Sequence, residues 1–243
     1  MHRIVSGLVA ALALTLVPAQ TAHAAAGDPD YNKPTVGDCH NYTYEEMYAE
    51  SDTTAAVPCT DSHTGKVIAV PRVPDTVAWS DTDALNRIVH KKCYPAIDAA
   101  LGRTELMRAL TAYNPSVFIP TKAERQQGAR WIRCDVFLWR GTDLSPLPYD
   151  TAPLVPKPLT DNVRRCLNGK LYLTTCDAKH AWKATFDFNV RKGAYPNKTQ
   201  MARIAGKKCS SHVAAGGFRY DPPTKEQWKA GYRVMICFSH TTS

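Results

Sequence analysis
Apolar residues recur at three- and four-residue intervals downstream of Ser80-Asp81: Leu85, Ile88, Val89, Tyr94, Ile97 and Leu101, closed by Gly102. This spacing predicts one amphipathic helix, opened by capping side chains and ended by a glycine. A second stripe, Met201, Ile204, Ala205, Cys209 and Val213, predicts an equivalent helix with Thr199 as its cap and Gly216 as its close. Each helix carries a lysine pair just before a cysteine, Lys91-Lys92 and Lys207-Lys208, on the side that points to water. Further along, the period changes to two. Ile132, Cys134, Val136 and Leu138 alternate as one face of a strand, and Met235 and Cys237 take the matching places near the C-terminus. The runs Val67–Val70 and Ala184–Phe188 each predict a further strand. Ahead of each alternating run stands a capping box, Thr121 with Glu124 and Thr224 with Gln227, which predicts a short helical turn stopping at Gly128 or Gly231.

These elements come in two sets because the sequence repeats. CTDSH at Cys59–His63 returns as CDAKH at Cys176–His180; ALNRIVHKKC at Ala84–Cys93 aligns with QMARIAGKKC at Gln200–Cys209, and PTKAERQQGARWIRC at Pro120–Cys134 with PTKEQWKAGYRVMIC at Pro223–Cys237. Three blocks in one order, each carrying its cysteine in register, indicate a tandem duplication. Copy one has extra residues, Arg103–Ile119, expected as a connection or a short additional helix. Between the copies lie Pro146, Pro148, Pro153, Pro156 and Pro158, a density that prevents regular helix and central strand and reads as a semi-rigid spacer. The expected organisation is a signal peptide over 1–24, module one over 25–145, a linker over 146–160 and module two over 161–243. Each module is expected to be α+β, a small antiparallel sheet covered by one main helix.

The N-terminus sets the compartment. Met1-His2-Arg3, an uncharged apolar run from Ile4 to Ala19 and Ala22-His23-Ala24 form an export signal with a cleavage site, so the mature chain is expected to begin near Ala25. The apolar run falls short of the ~20 residues that span a bilayer. Outside the cytoplasm, the eight cysteines read as a disulfide framework. A cysteine on the buried face of a helix and one on the buried face of a strand are natural partners, giving Cys93 with Cys134 and Cys209 with Cys237. Asn168-Gly169 turns a hairpin whose arms bring Cys166 to Cys176. Cys39 and Cys59 then form the fourth pair, across a longer excursion.

The two CxxxH patterns admit several chemistries. A structural zinc site needs four ligands, and the other nearby candidate, His40, has Leu167 at its place in copy two. A cysteine nucleophile is disfavoured because every cysteine has a duplicate and a disulfide partner. The favoured reading places His63 and His180 just past a disulfide-anchored turn, hydrogen-bonded locally, with a surface recognition role still open. No nucleophile elbow, HExxH, phosphate loop or SxxK motif occurs, so no catalytic residue, cofactor or metal is assigned. Charge is more informative. Residues 25–150 hold 13 Lys and Arg against 17 Asp and Glu, net −4, whereas residues 151–243 hold 16 against 5, net +11. Such a basic exported module is drawn to anionic cell-wall or membrane-surface components, with Arg164, Arg165, Arg191, Lys192, Lys207 and Lys208 as candidate contacts. Alternatively the acidic module docks on the basic one. Nucleic acid is not the expected partner of a secreted chain.

The blocks resemble the septum-formation domain of exported and membrane-anchored actinobacterial proteins. Gly37-Asp38-Cys39, Val57-Pro58-Cys59 to His63 with Val67–Val70, Cys93, and Pro120 with Gly128 to Cys134 carry the likeness. Copy two retains Cys176, His180, Cys209, Pro223, Gly231 and Cys237 but lacks the Gly-Asp before Cys166 and replaces the aliphatic strand after His180. The resemblance implies a role at the division septum or in envelope biogenesis and brings no catalytic activity with it. The expectation is therefore a secreted, non-enzymatic binding or scaffolding protein whose partner is an anionic envelope component or an envelope protein. The rival is a secreted hydrolase or metal-binding protein built on the CxxxH histidines.

Overall fold
The computed structural model describes residues 27–214 and 216–241; the expected signal peptide lies outside the described residues. Strands β1 (Cys39–His40), β2 (Ala56–Val57), β3 (Gly65–Ala69), β4 (Tyr113–Phe118), β5 (Arg133–Trp139) and β6 (Leu144–Ser145) form one sheet in the order β2-β1-β3-β5-β4, with β6 on β5. A second sheet contains β7 (Arg165–Leu167), β8 (Leu173–Thr175), β9 (Trp182–Asn189), β10 (Phe218–Asp221) and β11 (Val234–His240). Read from its other edge, its order is β8-β7-β9-β11-β10, the same path strand for strand. All pairings in both sheets are antiparallel. The protein is thus α+β, with two disulfide-stapled modules of one topology.

The helices follow the sequence pattern with local corrections. In module one, α1 (Tyr44–Met47) is followed by α2 (Thr82–Ile88), which Asp81 caps by accepting from the Ala84 amide. It runs on through a π-helical turn, Val89–Cys93, into α3 (Tyr94–Leu101), and Gly102 at φ 68° ends the helix as expected. The π turn was not foreseen. Pro95 has no amide to offer the carbonyl four residues back and its ring crowds that carbonyl, so the coil widens there. The widened turn shifts the phase, and Tyr94, placed in the apolar stripe from the sequence, is 37% exposed while Cys93, Ile97 and Leu101 stay buried. After α4 (Glu105–Ala109) comes β4, a strand the alternation did not reveal because Asn114 and Pro115 interrupt it; an edge strand tolerates that proline. The capping-box helices α5 (Lys122–Gln126) and α7 (Lys225–Lys229) form as expected. In module two, α6 (Lys198–Cys209) starts two residues earlier than expected, with Asn197 rather than Thr199 as cap. It ends in a 3-10 turn, Ser210–His212, well before Gly216.

All four expected disulfides are present: Cys39–Cys59, Cys93–Cys134, Cys166–Cys176 and Cys209–Cys237. The hairpin between Cys166 and Cys176 turns through a longer loop than two residues, in which Asn168 Oδ1 accepts from the Lys170 and Tyr172 amides at 2.9 and 3.0 Å. Cys134, Val136 and Leu138 of β5 pack under α2 and α3 together with Cys93 and Ile97. Met235 and Cys237 of β11 pack likewise under α6.

The segment 146–160 does not behave as a spacer. Leu147, Leu154 and Val155 are buried in module one's core, and the Leu154 and Val155 amides donate to the Ala100 and Leu101 carbonyls at 2.9 and 3.1 Å. The prolines stop regular structure, but the aliphatic residues between them bury enough apolar surface to fasten the segment.

Candidate functional site
The two CxxxH corners share the same contact at Nδ1 of their histidines. His63 Nδ1 lies 2.8 Å from the Asp61 carbonyl oxygen and His180 Nδ1 lies 2.8 Å from that of Ala178, two residues back in each case. His63 Nε2 is 3.0 Å from Asp150 Oδ1. Both imidazoles are buried, 2% and 8% exposed, in keeping with the locally bonded arrangement expected of them. Sγ of Cys166 and Cys176 and a ring nitrogen of His180 lie within 4.8 Å of one another. Those sulfurs are bonded to each other, so the trio presents one imidazole and no thiolate to a metal.

A buried polar network in module one escaped the sequence reading. Arg133 of β5, 3% exposed, donates from Nη2 to Asp52 Oδ2 at 2.5 Å and pairs with Asp135 Oδ2 at 2.9 Å. Its Nη1 is 3.4 Å from His40 Nε2, and its guanidinium lies 4.5 Å from the centre of the Phe118 ring. Asp52 also accepts from the Thr54 amide and hydroxyl, and His40 Nδ1 is 3.1 Å from the Thr54 carbonyl. One guanidinium therefore serves two carboxylates. Burial pushes the Asp135 carboxyl well above the usual carboxylate range against the pull of Arg133. Burial, aided by Arg133, lowers His40. The network ties the 41–55 excursion to the sheet. In copy two, Ile236 and Phe238 stand where Arg133 and Asp135 stand in copy one, so the equivalent face is apolar.

That apolar face is covered by the other module. Ala109 of α4, with Leu106 and Leu110, packs on Ala184, Val234, Ile236 and Phe238. Backbone bonds stitch the same seam: Ala112 N to Val163 O, Arg165 N to Leu110 O and Gly141 N to Leu173 O, each 2.8 Å. Arg165 Nε donates to the Thr111 carbonyl at 3.0 Å, and Arg164 Nη2 to that of Leu159 at 3.0 Å. Arg164 and Arg165, expected as surface contacts, are thus half-buried parts of the seam. Arg191, Lys192, Lys207 and Lys208 are exposed, as expected. Beside the seam Asp187 is buried, its Oδ2 has no hydrogen-bond partner among the described residues, and burial pushes its carboxyl up to about 7.

Two antiparallel sheets of one topology, each with a helix-to-strand disulfide and a second one at its CxxxH corner, define a cystine-stapled α+β protein with a basic outer surface on one half. A profile of the septum-formation family matches residues 36–237, and the chain belongs to that family. The matched residues run through both modules. No curated protein and no solved structure matches the chain.

Proposed function
We propose that the protein is an exported, non-enzymatic binding element of the cell envelope, linked to septum formation, which attaches through its second module to anionic envelope polymers. The observation that carries this is the charge split: a net +11 over residues 151–243 against −4 over 25–150, with Arg191, Lys192, Lys207 and Lys208 exposed. A surface of that sign concentrates polyanions over a Debye length of about 8–10 Å at ordinary ionic strength. Membership of the septum-formation family supports the envelope setting, and four disulfides support export to an oxidising compartment. Among the described residues no helix is long and apolar enough to cross a membrane.

The test is co-sedimentation of the oxidised chain with isolated cell envelopes. The chain is expected to pellet with them at low salt and to be released at high salt. A variant carrying R191E, K192E, K207E and K208E is expected to stay in the supernatant. Wild-type protein left in the supernatant at low salt would sink the reading.

A further inference from the structure
We propose that the groove between β10 and the start of α6 is a binding site for an anionic glycan strand; this rests on the envelope-binding reading and names the ligand within it. The groove encloses about 650 Å³, and its walls include Tyr195, Lys198, Met201, Phe218 and Tyr220. Phe218 and Tyr220 alternate along β10 and so share a face, their ring centres 6.5 Å apart. Tyr195, 38% exposed, stands at the opposite lip.

The aromatic wall is held in place before any ligand arrives. Tyr195 meets Trp228 edge-on at 5.6 Å and donates its hydroxyl to the Pro223 carbonyl at 3.2 Å. Trp228 in turn donates Nε1 to the Gly193 carbonyl at 3.1 Å. The loop bearing exposed Arg191 and Lys192 is therefore pinned through Gly193 to α7, close in sequence to the aromatic lip. A pre-set aromatic face loses little entropy on binding.

The comparison between the halves separates this groove from ordinary core packing. By strand register, Tyr220 opposite Cys237 corresponds to Val117 opposite Cys134, and Phe218 to Pro115. The position of Tyr195 is held by Trp79, and that ring is already covered by the protein's own Arg125 and Arg130, at 5.5 and 5.2 Å from its centre. In module one two arginines therefore lie over that ring, whereas in module two Trp228 stands at the position of Arg125 and meets Tyr195 by its edge, leaving Tyr195 38% exposed beside the half-buried Phe218 and Tyr220.

The chemistry of the walls selects the ligand. Flat, half-exposed aromatic rings suit the C–H faces of pyranose rings. A lipid chain would need an enclosed aliphatic lining, and Met201 is the one aliphatic side chain among those walls apart from two prolines. Lys198 on the wall, with Arg191 and Lys192 on the adjoining loop, calls for carboxylate or phosphate groups on the sugar.

The oxidised full chain is titrated with four probes: oligogalacturonate, neutral chitohexaose, polyglutamate and phosphatidylglycerol vesicles. Intrinsic fluorescence and amide NMR shifts report binding. Oligogalacturonate is expected to bind tightest and to shift the amides of residues 195, 197, 198 and 218–220. Tyr195→Ala and Lys198→Glu are each expected to weaken it about tenfold; Lys198→Glu, at an exposed position, is expected to leave the unfolding midpoint unchanged, whereas Tyr195→Ala, which also loses the Trp228 and Pro223 contacts, is compared at temperatures where it is fully folded. The proposal is overturned if both variants bind like wild type, or if polyglutamate or the vesicles bind as tightly as oligogalacturonate. Envelopes still pelleting with the wild type in that event would leave the envelope reading standing and remove only the groove. Loss of envelope binding by the wild type itself would remove both.

Discussion

Arg133 shows how one residue's role depends on what folds over it. In the sequence it occupies the polar phase of an alternating strand, where solvent is the default; in the structure the 41–55 excursion closes above it and makes its pairing with Asp52 and Asp135 a buried one. Removing the cation alone strands two carboxylates, so Arg133→Met is expected to lower stability by about 3–5 kcal/mol in chemical denaturation with disulfides intact. The triple variant R133M/D52L/D135L is expected to recover most of that loss, as the apolar counterparts Ile236 and Phe238 in copy two suggest. Asp187 yields a pH prediction. Its folded pKa of about 7 lies above the unfolded value near ~4, so the folded state binds the proton more tightly. Its contribution therefore weakens stability as pH rises from about 4 towards 7. Urea midpoints of wild type and Asp187→Asn across that range should diverge, with the wild type losing more as pH rises. His40, lowered by burial, acts with the opposite sign in both proteins and cancels from the comparison.

At the scale of elements, helix, alternating strands and capping boxes were legible because each is set by a local period or a local bond. The departures were also local in cause but needed neighbours to appear. Pro95 forces the π turn that throws Tyr94 outward, and β4 becomes a strand only because β5 supplies its partners from Tyr113 to Phe118. The helix-to-strand disulfides were readable because each joins two buried faces. Replacing Cys209 and Cys237 together by Ala is expected to cost about 3–4 kcal/mol by the chain-entropy account, measured as a lower denaturant midpoint for the pair variant. The Asn197 and Thr224 capping boxes should keep the α6 and α7 helical signal in the folded variant.

For the whole molecule, the decisive feature is that the modules are not independent. Module one covers its own second face with the 41–55 excursion, while module two borrows α4 from its neighbour. The proline-rich segment adds to the union through Leu147, Leu154 and Val155. Limited proteolysis of the native protein is therefore expected to spare residues 146–160. Leu106→Asp, which places a charge against the apolar face of module two, is expected to open the seam, seen as new cleavage there and as increased binding of a hydrophobic dye. Clean release of two stable halves from the wild type would show the seam to be weak.

The sequence alone determined the repeated framework: periods of 3.6 and 2 and the CxxxH corners, which follow from backbone geometry and residue type over short spans, and the four cysteine pairs, which followed from the buried faces of the elements that carry them, a hairpin turn and the pair left over. It also carried the charge split, since net charge is additive along the chain. Only the tertiary structure decided which polar residues are buried, that Arg164 and Arg165 belong to the seam, that α4 of one module roofs the other and that aromatic residues of β10 and the start of α6 line a groove in module two. Burial and contact depend on what lies across the core, and distance along the chain does not encode that.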